Sequence, residues 1–252
     1  KSTKLTLVDL PGVYSLTSYT IEERVSRKEV LESNVDVIIN VVDASSLERN
    51  LYLTMQLLEL GKPVIVALNM MDIVEERGME IDLHRLPEVL GYIPVVPVSA
   101  RKRTGLDVLM HAVVHHYQEI PDEKVVTYSD EIENKIEQLI ERLKKEYGDD
   151  HQILRWHAIK LLENDETVTK EHPILIEDIV DRSYENEIIN QKYEYIEEVV
   201  EECLFNRDEK VAFTEKIDKW LTHPFWGLPI FLGIIALVFF SVSYTHLTLP
   251  TP

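Results

Sequence analysis

Val64-Ile65-Val66-Ala67-Leu68, followed at once by Asn69-Met70-Met71-Asp72, is the stretch that decides how this chain folds. Five apolar residues in a row, with no polar residue at alternate positions, describe a strand buried on both faces, as in a parallel sheet covered by helices on each side. The Asn and Asp behind it sit where a strand ends and a helix begins, which is where open α/β sheets bind ligands. Outward from this stretch the same grammar repeats. Apolar, β-branched runs at residues 5–8, 35–42 and 95–98 alternate with helical spacings, Leu51, Met55 and Leu58 in one place and Leu106, Leu109, Val113 and Tyr117 in another. That alternation predicts an α/β domain with a mostly parallel sheet over residues 1–120.

Three short elements fall behind the strand runs. Asn69-Met70-Met71-Asp72 matches N-x-x-D, the pattern that reads guanine. An Asp carboxylate accepts two hydrogen bonds at once, from a ring N–H and an exocyclic amine, an arrangement adenine does not offer. The wrong base then leaves buried polar groups unpaired. Met70 stands where Lys is usual, and its stem can pack on the base face. Asp9-Leu10-Pro11-Gly12 matches D-x-x-G. There Asp9 would hold magnesium through a water, and the Gly12 amide, unhindered by a side chain, would approach a terminal phosphate. Val98-Ser99-Ala100 would bring a backbone amide to the guanine carbonyl oxygen. Each element alone has a plainer reading, an Asx turn for the first and a Pro-Gly turn for the second. Three in order at strand ends point to one nucleotide site.

Past Pro121 the pattern changes to Glu- and Lys-rich helical sequence without a clear strand. Ile132, Ile136, Leu139, Ile140 and Leu143 recur at three and four, an amphipathic helix, and further helices are expected around residues 154–162, 174–189 and 193–204. Residues 225–244 carry no charge over the length an α-helix needs to cross the hydrocarbon layer. Lys210, Lys216 and Lys219 precede that run and no Lys or Arg follows it, which places residues 1–220 in the cytoplasm by the positive-inside bias. The net charge of -19, from 45 acidic and 26 basic residues, argues against a nucleic-acid partner. Cys203 stands alone, so no intramolecular disulfide forms, and a small buried or half-buried side chain is expected there.

The stretches at residues 9–23 (DLPGVYSLTSYTIEE), 47–60 (LERNLYLTMQLLEL), 67–72 (ALNMMD) and 221–231 (LTHPFWGLPIF) make the sequence resemble the FeoB family of prokaryotic ferrous iron transporters. Met after the Asn is itself usual in that family. The resemblance implies a partial P-loop GTPase domain at 1–120, an all-α helical regulatory domain at 121–220, a juxtamembrane segment and first transmembrane helix at 221–244, and a tail at 245–252. It implies GTP or GDP with Mg²⁺ as cofactors and Fe²⁺ as the transported ion. Its partners would be guanine nucleotide, the lipid membrane, further copies of the chain and small Feo accessory proteins, with the protein in the bacterial inner membrane. Asp9 and Gly12 take the magnesium and phosphate role, Asn69, Met70 and Asp72 the guanine role, and Ser99 and Ala100 the supporting base contact. Residues 13–23 would form a switch that orders around the γ-phosphate.

The sequence also departs from the family. It contains no G-x-x-x-x-G-K-[ST] loop and no first switch with its magnesium-binding Thr, and it begins at Lys1 rather than Met, so it is read as truncated, with hydrolysis not expected in this piece. Residues 243–252 (SYTHLTLPTP) leave the family pattern and resemble translated adapter sequence, a short genuine turn being the alternative. Two other functions remain open from the residues: a soluble regulatory switch such as a ribosome-assembly GTPase, and a nucleotide-independent adaptor tethered to a membrane. His111 and His115 are spaced to share a metal, but no third ligand is evident, and solvated or partly packed histidines are expected. The acidic run at 194–202 is read as an exposed helix face.

Overall fold

The computed structural model describes residues 4–17, 20–32, 35–116, 124–148, 153–171 and 173–205. In chain order the elements are α1 (Ile21–Glu32), β1 (Ile38–Asp43), a 3₁₀ turn (Ala44–Ser46), α2 (Leu47–Leu58), β2 (Val64–Asn69), α3 (Met71–Arg77), β3 (Glu80–Ile81), α4 (Arg85–Val89), β4 (Val95–Pro97) and α5 (Leu106–His116). They continue with α6 (Asp130–Tyr147), α7 (Leu154–Leu162), α8 (Glu166–Glu171), α9 (Glu185–Cys203) and β5 (Leu204–Phe205).

β1, β2 and β4 form a parallel sheet in that order, with Asp43 level with Asn69 and Leu68 level with Pro97. β2 lies in the middle, which is why its residues 64–68 are buried throughout. Ile65, Ala67, Val96 and Val98 pack on one face against Leu109, Ala112 and Val113 of α5. Val42, Val64, Val66 and Leu68 pack on the other, in a core that continues through Leu51, Met55 and Leu58 of α2 into Ile136, Leu139, Leu143, Trp156, Ile159, Ile188 and Ile196 of the helical part. Each such side chain contributes about 1.5–3 kcal/mol by leaving water.

The run at residues 5–8 is not a strand. No described strand pairs with it, and Leu7 and Val8 are each 69% exposed. Strand propensity describes a fit to a pleated neighbour, and without a ladder it fixes nothing. The helical part is not all-α either. Its last residues, in β5, pair antiparallel with β3, Glu80 against Phe205 and Ile81 against Leu204, and the Asp82 amide donates to the Cys203 carbonyl at 2.8 Å. The helix expected around 174–189 starts only at Glu185. Upstream of it, Lys135 of α6 donates to the Ile179 carbonyl at 2.6 Å and Arg142 to the Leu175 carbonyl at 2.7 Å, so side chains satisfy backbone groups that a helix would have bonded itself. Cys203 is a free, fully buried thiol, pushed up to about 11 by burial.

Charged side chains join the helical part to the sheet part. Arg27 of α1 forks onto Asp165 at 2.7 and 3.2 Å, with its guanidinium 4.9 Å over the Trp156 ring. Lys192 of α9 faces Glu59, at the end of α2, and Glu163, at the end of α7. Tyr128 donates to Glu59, and Arg155 holds Glu133 in a bidentate pair at 2.7 and 2.8 Å. Buried charges persist only when paired in this way.

Among the described residues no helix is long and apolar enough to cross a membrane. The span expected at 225–244 and the tail at 245–252 lie outside the described residues.

Candidate functional site

The site grows from the carboxyl ends of β2 and β4. After Asn69, Met70 takes a left-handed backbone conformation with φ 63°, and its carbonyl accepts from the amides of Ile73 at 2.9 Å and Val74 at 3.2 Å, opening α3. A non-glycine residue in that region is strained and persists where its surroundings hold it. The turn leaves the Met70 side chain exposed and sets Asp72 in the first turn of α3, with only 4% of its surface exposed.

β4 continues through Val98, whose amide donates to the Leu68 carbonyl at 2.8 Å, while the Met71 amide donates to the Val98 carbonyl at 3.3 Å. Side chains then cross-link the two loops. Ser99 Oγ donates to Asp72 Oδ1 at 2.8 Å, and the Ala100 amide donates to Asn69 Oδ1 at 3.0 Å. Ser99 Oγ in turn accepts from the Lys102 amide at 3.1 Å. Asn69, Met70, Asp72, Ser99 and Ala100 therefore stand together as one unit. The Ser99 bond, more than the opposing effect of burial, holds the Asp72 carboxyl below the usual carboxylate range, with Arg101 adding to it. Asp72 is an ionised acceptor near neutral pH, which suits a partner offering N–H donors.

Loop 99–105 is shaped from both ends. Ser99 and Thr104 exchange backbone hydrogen bonds at 3.1 Å each way. Gly105 has φ +78°, and a Cβ there would stand 2.3 Å from the Pro97 carbonyl oxygen, so no other residue fits without moving β4.

Arg101 is a site residue that the motifs do not name. Its Nη2 lies 2.6 Å from Asp72 Oδ2 and 2.6 Å from Glu76 Oε1. The only signal for it in the sequence is a cation two residues behind the serine. Asp43 also lies outside the motifs; its carboxylate accepts from the Ser45 amide and hydroxyl at 2.8 Å each and so caps the 3₁₀ turn beside Asn69.

Asp9 and Gly12 stand apart from this unit. Both are exposed, in a segment without sheet pairing, and no described hydrogen bond or ion pair joins them to Asn69, Asp72 or Ser99. Their segment is tied to the helices instead. Ser26 Oγ donates to the Pro11 carbonyl at 3.1 Å, and Gln56 Oε1 accepts from the Leu16 amide at 2.7 Å and Ser15 Oγ at 3.0 Å. Asp9 offers one carboxylate, and among the described residues no group of three His, Cys, Asp or Glu side chains is placed to hold a metal ion. The residues present fit a purine base better than they fit magnesium. His111 and His115 stack at the surface with ring centroids 4.1 Å apart and no third ligand among the described residues.

Comparison with known proteins places the chain in a family. The family model described as ferrous iron transport protein B matches residues 1–113, and the one described as FeoB cytosolic helical domain matches residues 128–204. The Fe(2+) transporter FeoB of Staphylococcus aureus is 34% identical over 257 residues, which covers 97% of this chain and 38% of that protein. The chain thus spans well under half the length of the curated relatives it matches. Two solved structures are similar: a mutant NFeoB from S. thermophilus bound to GDP, 37% identical with a TM-score of 0.71, covering 78% of this chain and 80% of that one, and the cytosolic domain of the T. maritima FeoB iron transporter in GMPPNP form, 31% identical with a TM-score of 0.70 and the same coverage.

Proposed function

The chain belongs to the ferrous iron transport protein B family, and we propose that it serves as the guanine-nucleotide switch of a membrane transporter for Fe²⁺, with Asp72 and Asn69 reading the base. The observation that carries this is the buried, ionised Asp72 carboxylate at the carboxyl end of β2, cross-linked to loop 99–105. Asp72 accepts from the ring N–H and exocyclic amine of guanine, Met70 lies along the base face, and Ser99 fixes the carboxylate. Ala100 supports the base through its amide once that amide leaves Asn69. The similar structures in GDP and GMPPNP forms support guanine nucleotide as the ligand.

Asp9 alone does not make a magnesium site; it would hold Mg²⁺ only through water and alongside nucleotide phosphate, where the ion would supply charge neutralisation. Asp9 and Gly12 begin the segment that leads into α1, and α1 reaches the helical part through Arg27 and Asp165. A rearrangement of that segment around a terminal phosphate is thereby passed toward the helical part. The uncharged run at 225–244 anchors the assembly in the inner membrane with residues 1–220 on the cytoplasmic side, where further copies and small accessory proteins of the family are its partners. Fe²⁺ is cargo, and hydrolysis of GTP belongs to the complete transporter.

The test is titration of GDP, ADP and XDP into the chain, followed by amide chemical shifts so that millimolar binding registers. GDP is expected to perturb residues 69–72 and 99–101 ahead of ADP, and Asp72→Asn to turn the preference toward XDP, whose ring has an acceptor where guanine has a donor. Equal responses to GDP and ADP, or an unchanged preference in the mutant, would remove the base-reading role.

A further inference from the structure

Both polar groups that would read a base are already occupied from within the chain. Asn69 Oδ1 takes the Ala100 amide, and Asp72 Oδ2 has the Arg101 guanidinium 2.6 Å away. The second contact is an ion pair without good hydrogen-bond alignment, which leaves Asp72 Oδ2 a buried oxygen with no well-formed bond. Such an oxygen invites a better donor.

The Arg101 contact is not needed to shape its loop. Ser99 and Thr104 pair across it, Gly105 fits only against Pro97, and Ser99 and Ala100 tie it to α3 and β2. Arg101 itself is 59% exposed at the side chain, and its Nη2 is shared with Glu76, which is 56% exposed. The guanidinium can therefore leave Asp72 while remaining on Glu76 and in water.

We propose that Arg101 is an internal stand-in for the base: it and a guanine ring compete for the same Asp72 carboxylate, and the ring binds by displacing it toward Glu76. This deepens, and rests on, the base-reading role given to Asp72. Displacing Arg101 opposes the binding of any base, but only a ring with two adjacent donors restores bonds to both carboxylate oxygens. Arg101 thus lowers guanine affinity, speeds release and sharpens the choice of base. It acts as a specificity-determining residue and is not catalytic.

The experiment is an NMR titration of GMP and AMP into the intact chain, using the nucleoside monophosphates because the base is what Asp72 reads. Wild type, Arg101→Ala, Arg101→Lys, Asp72→Asn and the Arg101→Ala/Asp72→Asn double variant are compared. Arg101→Ala is expected to tighten GMP by about three- to tenfold. Arg101→Lys, which keeps the charge on a shorter and more strongly hydrated side chain, falls between. The gain is expected to vanish on the Asp72→Asn background, whereas a merely structural role would move both backgrounds alike. In wild type, the Arg101 side-chain resonance should shift toward a solvent-exposed value as GMP binds. Unchanged or weaker GMP binding by Arg101→Ala overturns the proposal while leaving the base-reading role standing. Equal GMP and AMP binding in wild type overturns the base-reading role and the stand-in together.

Discussion

Lys192 Nζ of α9 lies 3.0 Å from Glu59 Oε2 at the end of α2, and neither side chain reaches solvent. Glu163 Oε1 stands 3.8 Å away on the other side, and the Tyr128 hydroxyl donates to Glu59. One ammonium between two carboxylates is tolerable in a dry place, but removing it takes the paired cation from Glu59, which keeps only the Tyr128 hydroxyl, while Lys160 still holds Glu163. Lys192→Met is therefore expected to cost about 3–5 kcal/mol, read as a fall in the urea midpoint. Adding Glu59→Gln to Lys192→Met should recover part of the loss, giving a coupling of about 0.5–3 kcal/mol. A simple sum of the two single effects would mean the groups do not interact.

The same cluster sets a pH dependence. Burial alone would push the Lys192 ammonium down, but the Glu59 and Glu163 carboxylates reverse this and hold it above the ordinary lysine value. Burial alone would push the Glu163 carboxyl up, and Lys160 and Lys192 reverse that and hold it below the ordinary carboxylate value. A raised lysine contributes stability that is complete below its unfolded value, about 10.4, and is lost as pH climbs through the folded one. A depressed carboxyl contributes stability that is complete above about 4.3 and is lost as pH falls through the folded one. The cluster's share of Tm should hold level between about pH 5 and 10 and fall on both sides.

Arg27 and Asp165 make the second joint, with side chains 5% and 10% exposed. Burial would raise the Asp165 carboxyl, and the Arg27 bonds bring it below the usual range, so the pair is fully charged near neutral pH. Arg27→Met should cost about 2–4 kcal/mol by stranding Asp165, and Arg27→Lys should cost nearly as much, since an ammonium cannot fork onto two oxygens or lie flat on Trp156. Guanine preference, measured by chemical shifts at residues 69–72, should survive both changes, because neither touches α3. Loss of that preference would place Arg27 in the site.

The positions of these joints explain what the sequence conceals. Asn69, Asp72 and Ser99 are legible because each follows a buried strand whose apolar run is local, and local periodicity survives in a single sequence. α2 and α6 are legible for the same reason. The strand expected at residues 5–8 fails because its residue types describe a preference and not a partner. β5 is two residues long and pairs with β3 across more than a hundred residues, which leaves no period to detect. Lys160, Lys192 and Arg155 sit in sequence that reads as a solvated, charged helical stretch, yet each is 2% exposed or less. Lys192 and Arg155 are buried against carboxylates contributed by other elements, Glu59 and Glu133, so no short window of sequence contains both partners, while Lys160 pairs with Glu163 three residues on, a spacing that solvated helices share.

Gly105 offers a test of how tightly loop 99–105 is specified. A methyl group there would collide with the Pro97 carbonyl oxygen and would also strain a backbone held at φ +78°. Gly105→Ala should destabilise the chain by about 1–3 kcal/mol and displace Ser99 from Asp72. The check is a paired one, a lowered Tm together with shifted Ser99 and Ala100 amides. A mutant of unchanged stability with unmoved amides would show that β4 yields more easily than its packing suggests.

The membrane assignment rests on sequence, since residues 206–252 lie outside the described structure. Twenty uncharged residues at 225–244 are enough for a helix of hydrocarbon thickness, and on the proposed reading the three lysines before the run, with none after it, would orient the preceding residues toward the cytoplasm. Expressed in bacteria, the intact chain should sediment with membranes, resist extraction by high salt and carbonate, and dissolve in detergent. Truncation after Trp220 should release a soluble protein, because the largest apolar side chains upstream, among them Trp156, Tyr184 and Leu51, are already buried within residues 4–205. Salt or carbonate extraction of the intact chain would indicate surface adsorption, which charge screening reverses, and not insertion. Recovery of the intact chain as a monomer without detergent would mean that 225–244 packs into the protein, and the transmembrane assignment would have to be withdrawn while the base-reading site at Asn69 and Asp72 stood unaffected.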